Sequence, residues 1–288
     1  SSLQTQSCTK IIIIQKMRYL ISCGLPFALL NLSVSSLSTT FVNSLTFTSS
    51  ARISTTKLAM STNGEGGGGS STADVANFAL RQSPSTTQFV TNKMCPFAQK
   101  AWIALEASNA PYEMDEISLY GVNGKPDWFL ELNPAGTVPV LTCYGGAVVL
   151  PDSDIILDFI GDGAVEGGST LKPKSDAEKK AIKKWRDLLS REIIPVGKAA
   201  VLRGKTKELY SLLSKVDKDM TDSNKFLCGD APTVADCALF PFMWRIDQEF
   251  GPLTEEDHKC GNIRVWLDTC GETAAFRKTI QSSWWWWW

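Results

Sequence analysis

Cys95 is the residue of this chain best placed to do covalent chemistry. It follows a short β-prone run, Gln88-Phe89-Val90-Thr91, and directly precedes Pro96, a residue favoured at the first position of a helix. Ala98, Trp102 and Leu105 then recur at helical spacing, with Lys100 and Glu106 among the polar positions. A sulfur at a helix start faces unpaired backbone N–H groups and the positive helix end, which favour thiolate over thiol. Lys93 and Lys100 add positive charge nearby in sequence. The pattern predicts a thiol more acidic than a free cysteine, both nucleophile and good leaving group in disulfide exchange. Ala98 stands where a second thiol would complete a Cys-x-x-Cys pair, so the resolving thiol is expected from outside the chain.

Two further segments describe what would carry that thiol. Val138-Pro139, between a turn and a strand, predicts a cis-proline, which would leave the Val138 N–H and C=O open to pair with a peptide. The plainer reading is an edge-strand proline. Asp152-Ser153 starts a helix, where a hydroxyl and N–H groups suit a carboxylate and the acid suits an ammonium. The plainer reading there is a helix cap. Taken together, a thiolate, a backbone clamp and a charged end-site fit a peptide with a γ-glutamyl end and a central thiol, which is glutathione.

The elements that must position these residues follow from periodicity. Tyr112–Ser118 predicts a strand and Pro126–Leu132 a short helix, ended by Asn133-Pro134 and Gly136. Val138–Thr142 and Ala147–Leu150 flank Tyr144-Gly145-Gly146 as a hairpin, and a helix runs from Asp152 to Gly161. The order β-α-β-α-β-β-α implies an α/β thioredoxin-like domain. After it the pattern is helical: Ser175–Ile194, Thr206–Met220, Asp236–Phe250 and Asn262–Ile280, the second with Leu209, Leu212, Leu213, Val216 and Met220 on one face. The expected fold class is therefore an α/β thioredoxin-like N-terminal domain followed by an all-α C-terminal domain.

Four segments carry a family resemblance: Cys95-Pro96-Phe97-Ala98-Gln99-Lys100, Lys125-Pro126-Asp127-Trp128-Phe129, Asn133 through Leu141, and Asp152-Ser153. They resemble the omega class of the glutathione transferases, with likeness also to the lambda and dehydroascorbate reductase classes. Phe226 through Asp236 is similar to the family's second-domain signature, in which Thr233 caps a buried helix above Asp236. The resemblance covers roughly residues 86–280. It implies that Cys95 forms a mixed disulfide with glutathione and that the Val138 backbone, beside Pro139, pairs with its cysteinyl unit. It further implies that Asp152 and Ser153 hold the γ-glutamyl end, that Lys125 meets the glycyl carboxylate, and that Phe97 lines the site. Asp152 stands where Glu is more usual, and Lys100 where Arg is. The implied activity is glutathione-dependent thiol transfer, with dehydroascorbate or a protein or small-molecule disulfide as co-substrate. Conjugation of electrophiles and a non-catalytic interaction module are the alternatives, and a homodimer is the expected assembly if any forms.

Composition narrows the field further. None of the eight cysteines forms Cys-x-x-Cys and the single histidine, His258, has no ligand cluster around it, so no metal is expected. Ser1 to Gly64 holds five Lys or Arg and no acid, which leaves −6 for the remainder and argues against a nucleic-acid surface. The expected domains are 1–83, presequence and linker; 84–162, glutathione-binding; 163–283, helical; and 284–288, a tryptophan tail. Met17 is the expected start, followed by Arg18 and an apolar run, Tyr19–Leu30, too short to span a membrane. From Asn31 to Asn63, 16 of 33 residues are Ser or Thr, as in a transit peptide, and Gly64–Ser71 reads as a flexible linker. The expected destination is a plastid, with the cytoplasm as alternative, and no stable membrane anchor is expected.

Overall fold

The computed structural model describes residues 87–119, 124–220 and 224–281. The presequence and linker expected at 1–83 and the tryptophan run at 284–288 lie outside the described residues.

The strand that leads into Cys95, β1 (Gln88–Thr91), is buried along its whole length. Such a strand needs a central place in a sheet covered on both faces. It has one: β2 (Glu113–Glu116) pairs with it in parallel and β3 (Val140–Cys143) antiparallel, in the order β2-β1-β3-β4. The charged sequence Glu-Met-Asp-Glu puts β2 at an edge, where charge discourages further pairing. At the other edge β4 (Val148–Leu150) is joined to β3 by the tight turn through Tyr144, Gly145 and Gly146, all at positive φ. Helix α1 (Pro96–Ala107) follows β1, α2 (Asp127–Leu132) precedes the Val138–Pro139 segment, and α3 (Ser153–Gly161) follows β4.

The second half is helical: α4 (Asp176–Leu188), α5 (Ile194–Arg203), α6 (Thr206–Asp219), α7 (Val234–Phe250), α8 (Glu255–His258), α9 (Gly261–Glu272) and α10 (Ala274–Arg277). The expected α/β half followed by an all-α half is what the chain forms. Two of the expected helices are interrupted, and α5 and α8 lie outside the expected runs. The run Ser175–Ile194 does not stay regular, because Leu189–Ile193 widens to a π-helical turn before α5. Pro195, in the first turn of α5, has no N–H to return to the carbonyl four residues back, and the ladder loosens there. The run Asn262–Ile280 breaks at Thr273, whose backbone is extended and whose hydroxyl donates to the Thr269 carbonyl at 2.8 Å.

Helix α1 packs against both α3 and α7, so the element that begins at Cys95 is shared by both halves. Helix α7 is buried over most of its length. Where α3 meets the start of α7, Gly161 leaves room for Val234: a Cβ at Gly161 would lie 2.7 Å from Val234 Cγ1. Val234 is β-branched and stiff, so it cannot swing aside freely. Gly161→Ala is therefore expected to cost about 1–3 kcal/mol of stability. A denaturant midpoint equal to that of the parent protein would show that the two helices part without cost.

Candidate active site

Cys95 is the N-cap of α1, with Pro96 at the next position. The turn that presents it is built by Asn92. Its carbonyl accepts from the Cys95 N–H at 3.0 Å, its Oδ1 accepts from the Met94 N–H at 3.0 Å, and its Nδ2 donates to the Ile117 carbonyl at 2.8 Å. The half-buried cysteine packs on an apolar cluster that contains Val138, Val140, Ala98 and Phe129, with Trp128 at its margin. Phe97 is half-buried and meets Phe242 of α7 edge to face, with ring centroids 5.1 Å apart.

The electrostatics differ from the sequence expectation. Burial pushes the Cys95 thiol up, and this outweighs what pulls it down: the N–H groups of Ala98 and Phe97, then Arg245, then Lys100. Those N–H groups act on the sulfur without making a hydrogen bond of ideal geometry. The helix end is present as expected, yet burial holds the thiol above its ordinary value. Lys93 plays no part in this. It pairs with Glu116 on β2 at 2.9 Å.

The side chain of Lys100 is buried and bridges α1 to the start of α3. Its Nζ lies 2.8 Å from Asp154 Oδ1 and 3.4 Å from the Ser153 hydroxyl. Burial pushes the Asp154 carboxyl up, but Lys100 and then Arg186 together hold it below the usual range. Asp152 is exposed and caps α3, its Oδ1 accepting from the N–H groups of Asp154 and Ile155 at 2.9 Å each. Ser153 is buried behind it.

The Val138–Pro139 peptide bond is cis, as the sequence predicted. Lys125 folds over Gly136, two residues before Val138; a Cβ there would lie 3.3 Å from Lys125 Cδ, and φ at Gly136 is +62°. The fold thus brings Cys95 and Val138 onto one cluster and ties Ser153 to the cysteine's own helix through Lys100. Among the described residues no hydrogen bond or ion pair joins Lys125 or Asp152 to Cys95. Farther off, Thr233 and Asp236 form a capping box at the start of α7. Among the described residues no group of three or more His, Cys, Asp or Glu side chains could hold a metal ion.

Sequence reasoning missed Arg245. Almost wholly buried, it reaches from α7 to the active-site turn, donating to the Met94 carbonyl at 3.1 Å, to the Pro241 carbonyl at 2.8 Å and to Gln99 Oε1. The signal was a single arginine after the apolar stretch Cys237–Trp244, a place where a solvent-facing charge is not expected.

A four-stranded mixed sheet with a cysteine at the mouth of its first helix, joined to a helical half, defines a protein of the glutathione transferase fold. The glutathione S-transferase N-terminal domain family matches residues 94–162 and the C-terminal domain family matches residues 199–269. The chain belongs to the glutathione S-transferase family. It is 32% identical over 163 residues to glutathione S-transferase omega-1 of Mus musculus, covering 54% of this chain and 65% of that protein. It is 25% identical over 189 residues to the probable glutathione S-transferase DHAR2, chloroplastic, of Oryza sativa subsp. japonica, covering 65% of each. Both matches span just under two thirds of the relative. The crystal structure of glutathione transferase Omega 3C from Trametes versicolor superposes with a TM-score of 0.58 at 22% identity, over 73% of this chain and 96% of that one. That last likeness is one of fold.

Proposed function

We propose that this protein is a glutathione-dependent thiol transferase that works by thiol–disulfide exchange through Cys95, with dehydroascorbate reduction within its range. The observation that carries the reading is Cys95 itself: a lone cysteine at the N-cap of α1, with alanine three residues on. In the reaction the Cys95 thiolate attacks the glutathione sulfur of a mixed disulfide, and the substrate leaves as a thiolate. A second glutathione thiolate then attacks the glutathione sulfur of the Cys95–glutathione disulfide, and the Cys95 sulfur is the leaving group. Oxidised glutathione departs and the Cys95 thiolate is restored. Electrons come only from glutathione, two per turnover, and no metal is used.

In this reading the Val138 backbone pairs with the cysteinyl unit of glutathione, and Phe97 and Pro139 close the pocket around it. Asp152 and Ser153 hold the γ-glutamyl end, and Lys125 meets the glycyl carboxylate. The position of Ser153 at the start of α3, with Lys100 beneath it, supports an anion there. Thr233 and Asp236 have a structural role. The glutathione-binding domain is assigned to 84–162 and the helical domain to 163–283. A plastid destination is part of the proposal, supported by the chloroplastic designation of the rice relative and by the Ser/Thr-rich, acid-free run from Asn31 to Asn63.

Asp152 offers a test that separates its two roles. Asp152→Asn keeps an oxygen to cap α3 and removes the charge, so stability should hold while glutathione binding weakens about tenfold, the scale of a lost charge-assisted hydrogen bond. Asp152→Ala should in addition lose about 1 kcal/mol of stability with the cap. Calorimetric titration with glutathione measures the first effect and denaturant unfolding the second. If Asp152→Asn binds as tightly as the parent protein, Asp152 is a cap and nothing more.

A further inference from the structure

We propose that Arg245 is the counter-ion of the Cys95 thiolate, and that Gln99 and Thr279 hold it in place, so that the helical half of the protein sets the charge state of the nucleophile. This rests on the reading of Cys95 as nucleophile.

A guanidinium that is almost wholly buried is costly unless a negative charge sits beside it. Among the described residues Arg245 pairs with no carboxylate. Its acceptors are three neutral oxygens: the carbonyls of Met94 and Pro241, and Gln99 Oε1. Among the described residues the ionisable group that acts on it is the Cys95 thiol. Burial pulls the guanidinium down to about 10 against the upward pull of Cys95, so it still carries its charge at neutral pH. A buried cation with neutral ligands and one ionisable thiol for company has an electrostatic need that a thiolate fills.

Cys95 has the matching need. Burial makes its thiolate expensive, and the N–H groups of its own helix do not offset that cost. The other charges nearby are already engaged. Lys100 is paired with Asp154, Lys93 with Glu116, and Asp247 of α7 with Arg264 at 2.8 Å and with the Leu253 N–H at 2.9 Å. Among the described residues Arg245 is the cation left to answer the thiolate.

Its position is set by a chain of contacts that crosses the molecule. Gln99, one turn along α1 from Cys95, accepts from Arg245 with Oε1. With Nε2 it donates to Thr279, 3.1 Å to the hydroxyl and 3.3 Å to the carbonyl. Thr279 is fully buried just beyond α10, and its hydroxyl donates to the Phe276 carbonyl at 2.8 Å. The amide of Gln99 is thus oriented by the end of the described chain, with its oxygen turned to the guanidinium. The guanidinium in turn grips the carbonyl of the residue before the nucleophile.

The test is the pH profile of Cys95 alkylation by iodoacetamide, read on its own peptide by mass spectrometry so that the other cysteines do not contribute. Arg245→Gln should raise the midpoint by about one unit and slow alkylation at neutral pH about tenfold. Arg245→Lys, which keeps the charge, should stay within about threefold of the parent protein, a shift of half a unit. Gln99→Glu provides the control for folding. It sets a carboxylate against the guanidinium, which would strengthen a mere tether but neutralise a counter-ion, so the midpoint should again rise.

A folded Arg245→Gln with an unchanged midpoint overturns the proposal, as does a lysine variant as slow as the glutamine one. If Arg245→Gln does not fold, an unchanged midpoint in Gln99→Glu overturns it alone. Loss of the function reading looks different: thiol transfer would be absent from the parent protein while the alkylation midpoints still moved as described.

Discussion

Cys95→Ser is expected to abolish thiol transfer, with a loss of about 10³-fold or more, the scale seen when a covalent nucleophile is removed. The reason lies in the intermediate rather than in binding. A serine hydroxyl is not ionised near neutral pH and forms no disulfide, so no enzyme-bound glutathione can accumulate. Exposed to a glutathionylated substrate, the parent protein should gain one glutathione by mass, and a reductant should reverse the gain. The serine variant should stay at its original mass while still binding glutathione through the Val138 backbone, Asp152, Ser153 and Lys125. None of the remaining described cysteines is a good substitute. Cys143, Cys237, Cys260 and Cys270 are buried, and burial together with the Asp236 carboxylate pushes the half-buried Cys228 thiol up to about 12. Full thiol transfer by Cys95→Ser would sink the assignment of Cys95 and move the search to those positions.

How much of this was legible in the sequence depended on whether the signal was local. The start of α1 was readable because its ingredients are adjacent: a β-prone run, a cysteine, a proline and a helical period. The Val138–Pro139 bond and the capping box of Thr233 and Asp236 were readable for the same reason, one from a dipeptide and its turn, the other from a spacing of three. The acidity of the thiol was not readable. It is a balance between a local helix end and burial contributed by segments far along the chain, and burial has no signature at residue 95. Arg245 escaped for a related reason. It is 150 residues beyond Cys95 in sequence, and only the packing of α7 on α1 makes it a neighbour of the active-site turn. Lys93 shows the reverse error, since adjacency suggested help for the thiol and Glu116 claims the charge instead.

Asp236 should be the most costly position to truncate outside the active site. Its side chain is fully buried, and each of its oxygens accepts twice. Oδ2 takes the Thr233 N–H at 2.8 Å and the Thr233 hydroxyl at 2.9 Å; Oδ1 takes the Leu227 N–H at 2.9 Å and the Trp266 indole N–H at 3.0 Å. One carboxylate therefore fixes the start of α7, the loop before it and α9. Burial still raises its pKa, which shows how far those donors fall short of replacing water. Asp236→Ala would leave two backbone N–H groups and an indole N–H buried without acceptors, at about 1–3 kcal/mol each before relaxation. A total loss of about 3–5 kcal/mol is expected, a size confined to a few mechanisms of which broken buried networks are one. Asp236→Asn keeps the shape, but whichever way its amide is turned, the NH2 faces a backbone N–H, so a loss of about 2 kcal/mol is expected. Thr233→Ala removes only the hydroxyl cap and should cost about 1 kcal/mol. Urea unfolding of the three variants should rank them in that order, with Cys95 alkylation retained wherever the fold survives. If Asp236→Ala came within about 1 kcal/mol of the parent protein, water would have to be reaching those donors, and the capping box would be ornament to a helix held by packing alone.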